Sequence, residues 1–420
     1  NNSDAGIPGQ TLFEPPNFNS RQRFDQQITS ASLAWSFSTG SHWKHELSSG
    51  ESYTLQRNFD PAFGNSTFQY NRASLNAQSS YLLSNFAVTA GYQYEVENAG
   101  LPFLSAGHVR RNNQAGFLDF HYLPHPRLSL NFGARAEANE KFGTRVVPRV
   151  GASYLLRYGK DFWGDTRLRA FYGQGIKEPR FDQNFNDQFG DLGNPSLKPE
   201  ASKSWSIGIE QKLANDRVKL TAEYFSNRFY DIISFINCSP LPAPSTSSQC
   251  GTLMFPGAVF GYFLNTDRAR ARGTNFAVET RITRWLTAAG NYTYDDSRVL
   301  AAPQLASDPV QSAGNRLLRR PVNSGSLTLN AVYHQFSATL GGYFTGRRSD
   351  SDFHFPLPIL TRNPGYARLD LSTRYDISRS FSIYARASNL FDKSYQDALG
   401  YPALGRAVHV GMSYRFAGRN

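Results

Sequence analysis

The chain of 420 residues carries 44 Lys+Arg against 33 Asp+Glu, a formal net charge of +11, with 14% aromatic residues, 34 Gly, 22 Pro and 18% charged residues. It contains no run of about 18 consecutive apolar residues, so a membrane-crossing helix is excluded, and its aromatic- and turn-rich composition argues for many strands rather than packed helices. The arginines stand at alternating positions instead of in one block, so no nucleic-acid interface is expected; lipopolysaccharide phosphates or an acidic ligand suit the charge better.

Taken in chain order, the predicted elements share one period. Leu128, Leu130, Phe132, Ala134 and Ala136 alternate with Ser129, Asn131, Arg135 and Glu137. Trp205, Ile207 and Ile209 alternate with Ser204, Ser206 and Glu210, and Val218, Leu220, Ala222 and Tyr224 with Lys219, Thr221 and Glu223. The same pattern returns at Leu327 to Tyr333, Ala367 to Tyr375 and Phe381 to Ser388, and in the last strand from Arg406 to Phe416. Apolar side chains on one face and polar ones on the other is strand patterning, in segments of roughly ten residues, the length a tilted strand needs to cross a bilayer. A charged face with no apolar partner wants water, unlike the dry interior of a sandwich. The mean hydropathy of -0.48 is compatible with a membrane barrel for the same reason, since half of each strand is polar.

Connections alternate in length. Short ones lie at Thr39 to His42, Pro124 to Pro126, Ala214 to Asp216, Thr283 to Trp285, His334 to Gln335 and Ser378 to Ser380. Long ones lie at Ala99 to Gly107, Lys177 to Ala201, Asn237 to Gly257, Leu300 to Asn315, Ser349 to Asn363 and Asp392 to Leu404. Short turns at one end and long extracellular loops at the other are an outer-membrane pattern. The fold class is therefore an all-β, transmembrane antiparallel β-barrel, an up-and-down meander of about seventeen strands. Bacterial barrels have even strand numbers and periplasmic termini, so counting back from the last strand places residues 1–22 as an extracellular loop remnant, 23–416 as the barrel and 417–420 as a tail, with the first strands absent.

Cys238 and Cys250 share one Pro- and Ser-rich segment. In an oxidising compartment they would close a disulfide loop worth roughly 3 kcal/mol; the alternative is two free thiols. No metal site and no cofactor are expected, because no His or third Cys is close by in the sequence.

Three segments go beyond patterning. Lys177-Glu178-Pro179 precedes Asn194-Pro195-Ser196-Leu197-Lys198-Pro199-Glu200; Tyr262 to Gly273 carries Asn265, Arg268, Arg270 and Arg272; and Asn389-Leu390-Phe391-Asp392-Lys393-Ser394-Tyr395 precedes Gly400-Tyr401-Pro402 and Gly405-Arg406. In this order, before a final strand with a near-terminal aromatic, they resemble the C-terminal barrel of TonB-dependent outer-membrane receptors over nearly the whole chain. The resemblance implies a monomeric barrel of ~22 strands filled by an N-terminal plug, set in outer-membrane lipid, whose loops capture a scarce nutrient for TonB-energised uptake; here the plug through which the TonB complex acts is absent. Leu317-Leu318-Arg319-Arg320 is most similar to the cobalamin transporter branch, although Thr274-Asn275 stands where a Val-Glu pair is usual. The ligand implied is a corrinoid or a metal chelate such as a ferric siderophore.

The resemblance puts Arg319 on the substrate side, with Arg347 and Arg348 where a neighbouring substrate loop begins. Arg319 could grip an acidic or amide-rich ligand through its multi-donor fork or pair with a loop carboxylate. Phe181, Phe185 and Phe189 could cover a ligand or pack their loop on the barrel mouth. Arg135, Arg368, Arg374 and Arg386 are expected to pair with plug or wall acids, and Trp163, Trp205, Trp285, Tyr375 and Tyr414 to anchor at the membrane interface. A catalytic role is not expected: His334, His354 and His409 are scattered, and no Gly-x-Ser-x-Gly or His-Glu-x-x-His segment occurs. The rival classes are a passive porin and a surface enzyme or adhesin.

Overall fold

The period-two segments become antiparallel ladders in the computed structural model, which describes residues 2–7, 17–60, 64–102, 104–187, 191–237, 261–302, 310, 312–351 and 359–415. In chain order the strands are β1 (Asn2–Ile7), β2 (Asn17–Thr39), β3 (Trp43–Asp60), β4 (Gly64–Leu82), β5 (Phe86–Gly100), β6 (His108–His125), β7 (Leu128–Asn139), β8 (Gly143–Arg157) and β9 (Thr166–Lys177). After the helix α1 (Phe181–Phe185) come β10 (Asp191–Leu192), β11 (Glu200–Leu213), β12 (Val218–Asn237), β13 (Gly261–Arg281), β14 (Leu286–Ala301), β15 (Asn323–Tyr333) and β16 (Phe336–Thr345). The last are β17 (Arg348–Ser351), β18 (Leu360–Asn363), β19 (Tyr366–Asp376), β20 (Phe381–Ser388), β21 (Gln396–Ala398), β22 (Tyr401–Pro402) and β23 (Ala407–Tyr414). Nineteen strands form one sheet; seventeen of them, β2–β9, β11–β16, β19, β20 and β23, run as an up-and-down meander. The β17–β18 and β21–β22 hairpins stand outside that sheet. No helix among the described residues is long and apolar enough to cross a membrane, which leaves crossing by strands open.

Register carries one apolar face across the whole meander. Trp35 sits opposite Leu47, Leu47 opposite Ala77 and Ala77 opposite Tyr92. Phe120 faces Phe132, which faces Val150, and Val150 faces Tyr172. Further on, Ile207 pairs with Tyr224, Phe276 with Tyr292, Leu329 with Leu340, Leu340 with Leu371, and Ile383 with Met412. A slip of one residue anywhere would invert every following side chain, so this continuity specifies the pairing. The other face is threaded with ion pairs between wall residues: Arg149–Asp119 at 2.7 Å, Arg169–Glu210 at 2.7 Å and Lys219–Glu279 at 2.8 Å.

The apolar face is bare. Trp35 is 62% exposed, Leu327 53% and Val410 78%. A water-soluble fold does not leave so large a contiguous apolar surface uncovered, whereas hydrocarbon around a barrel covers it. Among the described residues the dry interior amounts to two small clusters. One joins Ile236 and Tyr262 with Leu192 and Leu264, the other Ala99, Leu101 and Leu104 with Phe68, Val109, Phe181 and Phe185.

Three details differ from the sequence expectation. Within residues 1–22, expected as loop, Asn2–Ile7 is a strand paired with Asn17 to Asp25 of β2; polar strands of this kind lack the apolar alternation that marks a membrane face. Strands also exceed ten residues, with 23 in β2 and 20 in β12, because the ladders continue into the loop hairpins beyond the apolar band. The last strand ends at Tyr414. Phe416, the tail 417–420, Cys238, Cys250, Phe189 and His354 lie outside the described residues.

Candidate functional site

The ends of the meander differ. At one end connections are brief: 40–42, 83–85, 126–127, 158–165, 214–217, 282–285, 334–335 and 377–380. The non-glycine residues Ala214, Asn215, Asp216 and His334 take positive φ there to close tight reversals. At the other end lie 101–107, 178–199, 302–322, 346–365 and 389–406, together with the short connections after β3 and β7. Polar groups converge at this loop end.

Arg111 is the centre of the first group. It points to the polar face from β6, opposite Glu97 of β5, and is 6% exposed. Its Nη2 donates to Glu97 Oε2 at 2.6 Å and lies 3.2 Å from Glu178 Oε2, while Nη1 donates to the Pro179 carbonyl at 2.8 Å. The guanidinium stacks over the Phe181 ring at 4.5 Å, and Lys141 stands 5.2 Å over Phe185. The segment after β9 is thus drawn in over the polar face by one cation. Burial, helped by the hydrogen bond that protonated Glu178 donates to Glu137 and by the charge of Glu97, pushes the Glu178 carboxyl up to about 7 against the pull of Arg111.

The sequence motifs hold these loops. Asn194 donates to the Phe263 carbonyl at 3.1 Å, and its Oδ1 accepts from Ser196 N–H at 2.9 Å. Asn265 accepts from Lys198 N–H at 2.8 Å and donates to the Lys198 and Asp231 carbonyls at 2.8 and 2.7 Å. Asn389 donates to the Lys393 carbonyl at 3.0 Å and accepts from its N–H at 2.9 Å. Residues of these motifs therefore clamp backbone; they define the mouth's shape.

The second group surrounds Asp350, which has no exposed surface. Its carboxylate accepts from Arg319 Nε at 3.0 Å, Ser351 N–H at 2.9 Å, Leu399 N–H at 2.8 Å and Asn363 Nδ2 at 3.3 Å. Burial alone would raise this carboxyl, but those donors hold it below the ordinary carboxylate range. Arg348 is also buried, at 4% exposure, and donates to the Gln396 and Asp397 carbonyls with Tyr366 beside it at 5.7 Å. Tyr366 stacks on Tyr395 with centroids 4.0 Å apart and donates to Asp397 at 2.7 Å. Arg368 donates to Tyr395 Oη at 3.0 Å and lies over Tyr343.

The structure brings Arg319, Arg347 and Arg348 to one corner with different commitments. Arg319, held at φ +58 with its N–H on the Ser349 carbonyl, is ion-paired to Asp350. Arg348 is enclosed, and Arg347 is exposed to solvent. Phe181 and Phe185 pack on Ala99, Leu101 and Leu104. Arg135, Arg368 and Arg374 each meet a wall acid, at 3.0, 3.5 and 2.8 Å, while Arg386 has no ion pair among the described residues; Trp205, Tyr375 and Tyr414 are exposed on the sheet, and Trp163 and Trp285 are exposed in the short connections. Arg111, Asp350 and Tyr395 were missed as site residues. Their signal was present only as the motifs around Glu178 and Asp350, since nothing local marks a residue whose partners lie on another strand.

A family model for the TonB dependent receptor-like β-barrel matches residues 1–390. Among solved structures the chain is similar to the ferric enterobactin receptor PfeA of Pseudomonas aeruginosa (16% identity, TM-score 0.73, 94% of this chain and 62% of that one). It is also similar to the ferric-catecholate import receptor Fiu of E. coli K12 (14%, 0.73, 99% and 70%) and the ferric yersiniabactin uptake receptor FyuA of Yersinia pestis (16%, 0.68, 95% and 62%). At such identities the likeness is one of fold, and the chain spans between 62% and 70% of the length of these three proteins. With a polar-lined meander, an uninterrupted apolar face and loops gathered at one end, the chain belongs to the TonB-dependent receptor β-barrel family, a family of outer-membrane transport receptors rather than enzymes.

Proposed function

We propose that this barrel belongs to a receptor in the outer membrane of a Gram-negative-type bacterium that captures a ferric chelate at its loop end, for uptake energised by the TonB complex acting through a plug. The observation that carries the reading is a cluster of a cation and aromatic rings under the loops: Arg368, Tyr343, Tyr366 and Tyr395 touch one another on and above the polar face, and Arg347, next in the chain to the Arg348 that lies against Tyr366, is open to solvent. Guanidinium groups and tyrosine rings suit the planar, anionic aromatic arms of a catecholate chelate. The iron receptors similar in fold support the same class. A corrinoid is the second reading, favoured by the Leu317-Leu318-Arg319-Arg320 segment, with Arg319 as its contact.

The test is binding by the complete receptor in detergent, with a ferric catecholate and with cyanocobalamin, followed by fluorescence and calorimetry. Saturable binding of the ferric catecholate, weakened about tenfold (~1.4 kcal/mol) by Arg347→Ala, is expected. Binding of cyanocobalamin alone, lost in Arg319→Ala, would replace this reading with the corrinoid one. Binding of neither would remove both.

A further inference from the structure

The apolar face carries an anomaly just beyond its aromatic belt at the loop end. On β11 to β14 that face runs through Trp205, Ile207 and Ile209, Tyr224, Phe276, Tyr292 and Tyr294, all exposed. One pleat further, the same register sets Lys203 opposite Arg228, Arg228 opposite Arg270, and Arg270 opposite Arg298. Arg298 in turn bridges to Arg316. Five cations on consecutive neighbours therefore form one row, spanning ~19 Å at about 4.8 Å per strand. Arg272 adds a sixth, directly opposite Asp296.

Like charges directly opposite one another destabilise a sheet, so such a row calls for counter-charge. The one carboxylate in contact with it among the described residues is Asp296, which lies 2.8 Å from Arg298, 3.4 Å from Arg270, 3.5 Å from Arg272 and 3.6 Å from Arg316. Four guanidinium groups share one carboxylate, and Lys203 and Arg228 have no ion pair among the described residues. Lys203 instead lies 5.7 Å from the Tyr230 ring. The Arg270 side chain is only 23% exposed, and its Nε is buried without a hydrogen-bond partner. An unsatisfied buried guanidinium donor is rare unless something else completes it.

We propose that this row binds the phosphates of a phosphorylated glycolipid of the outer leaflet, lipopolysaccharide, whose acyl chains lie on the apolar face below. The proposal rests on the outer-membrane reading and names a lipid for a defined patch of wall. Chemistry and position agree. Arginine forks match phosphate oxygens bidentately. The row stands one pleat from Trp205 and two from Tyr224 and Tyr294, the aromatic level that marks a headgroup boundary. A free anion in bulk solvent would have no reason to prefer residues on this face. On the polar face Arg135, Arg149, Arg169 and Lys219 each meet their own wall acid, whereas on this face one carboxylate serves four guanidinium groups.

The test uses the complete receptor, purified in detergent, with bisphosphorylated lipopolysaccharide as the probe. Lipid retention is read by native mass spectrometry, and its effect by the thermal midpoint. For the natural protein, retention and a midpoint rise are expected. Dephosphorylated lipopolysaccharide should bind at least tenfold more weakly, and millimolar inorganic phosphate should not displace the lipid. The triple variant R228Q/R270Q/R298Q should lose at least tenfold in affinity while ferric-chelate binding at the loops is unchanged; R374Q, on the polar face, should behave as the natural protein. If the triple variant does not fold, each single variant is expected to bind roughly two- to threefold more weakly. Equal retention by the natural protein and the variants, equal binding of the dephosphorylated lipid, or displacement by inorganic phosphate would each overturn the proposal. A loss of ferric-chelate binding with lipid retention intact would fall on the receptor reading alone.

Discussion

Arg319 reaches the fully buried Asp350 at 3.0 Å across 31 residues of chain, and the same carboxylate also receives two backbone N–H groups and the Asn363 amide. One carboxylate thereby ties three connections together: the one after β14, the β17–β18 hairpin and the segment before β22. Replacing it with Ala strands four donors. Because Arg319 remains partly solvated, Asp350→Ala is expected to cost about 2–4 kcal/mol rather than the full penalty of a dry ion pair. The loss should be local, read as faster proteolysis within 346–365 and 389–406 while the membrane-embedded strands stay protected.

The same carboxyl predicts an acid limit. Its folded pKa is held below the unfolded value, so its stabilising contribution is complete above the unfolded pKa and fades as pH falls through the folded one. Amide exchange at Ser351 and Leu399 should accelerate only below the ordinary carboxylate range. Asp350→Asn should remove that pH dependence.

Glu178 has the opposite sign. Its folded pKa, raised to about 7 from 4.5 mainly by burial, means that the folded state holds the proton more tightly. Stability of the 178–187 segment is complete below about 4.5 and declines as pH rises to about 7. Exchange in α1, corrected for intrinsic rate, should grow across that window and then level. Glu178→Gln should flatten the profile and slow exchange at pH 8; an unchanged profile would show that the proton resides elsewhere in the Arg111 group.

Leu327 and Ser326 are adjacent on β15 yet face opposite sides, Leu327 opposite Gly290 and Gly342 on the apolar face. Leu327→Arg should lower unfolding stability in vesicles by about 2–4 kcal/mol, the cost of an arginine in mid-membrane. Ser326→Arg, one step away, should change it little. Denaturant titration of both variants refolded in lipid checks the assignment of faces, and equal effects would contradict it.

Asn265 makes three bonds to the backbone at Lys198 and Asp231. Asn265→Ala should therefore loosen 194–199 by about 2–3 kcal/mol, at roughly 1 kcal/mol per bond. Amide exchange at the Lys198 N–H, which donates to Asn265, reads that opening directly.

Much of the architecture could be read before any coordinates, and the reason is periodicity. Trp205, Ile207 and Ile209 announce their face because a strand repeats every two residues, and a tight turn such as that at His334 leaves its neighbours no choice but to pair. The site was less legible. Phe181 and Phe185 look the same in sequence whether they cover a ligand or a leucine cluster, and only the fold shows them against Leu101 and Leu104. Arg348 and Arg347 are neighbours in the chain, yet one is enclosed by carbonyls and the other faces water; pleating separates them, and pleating at a loop junction follows no repeat. Asp350 drew no notice as a hub because its partners arrive from three loops.

The 23 residues of β2 and 18 of β3 stay paired from Thr39 and Trp43 up to Arg23 and Phe59. A crossing uses about ten of these, so roughly seven paired positions on each strand remain to rise beyond the apolar band as a two-stranded palisade.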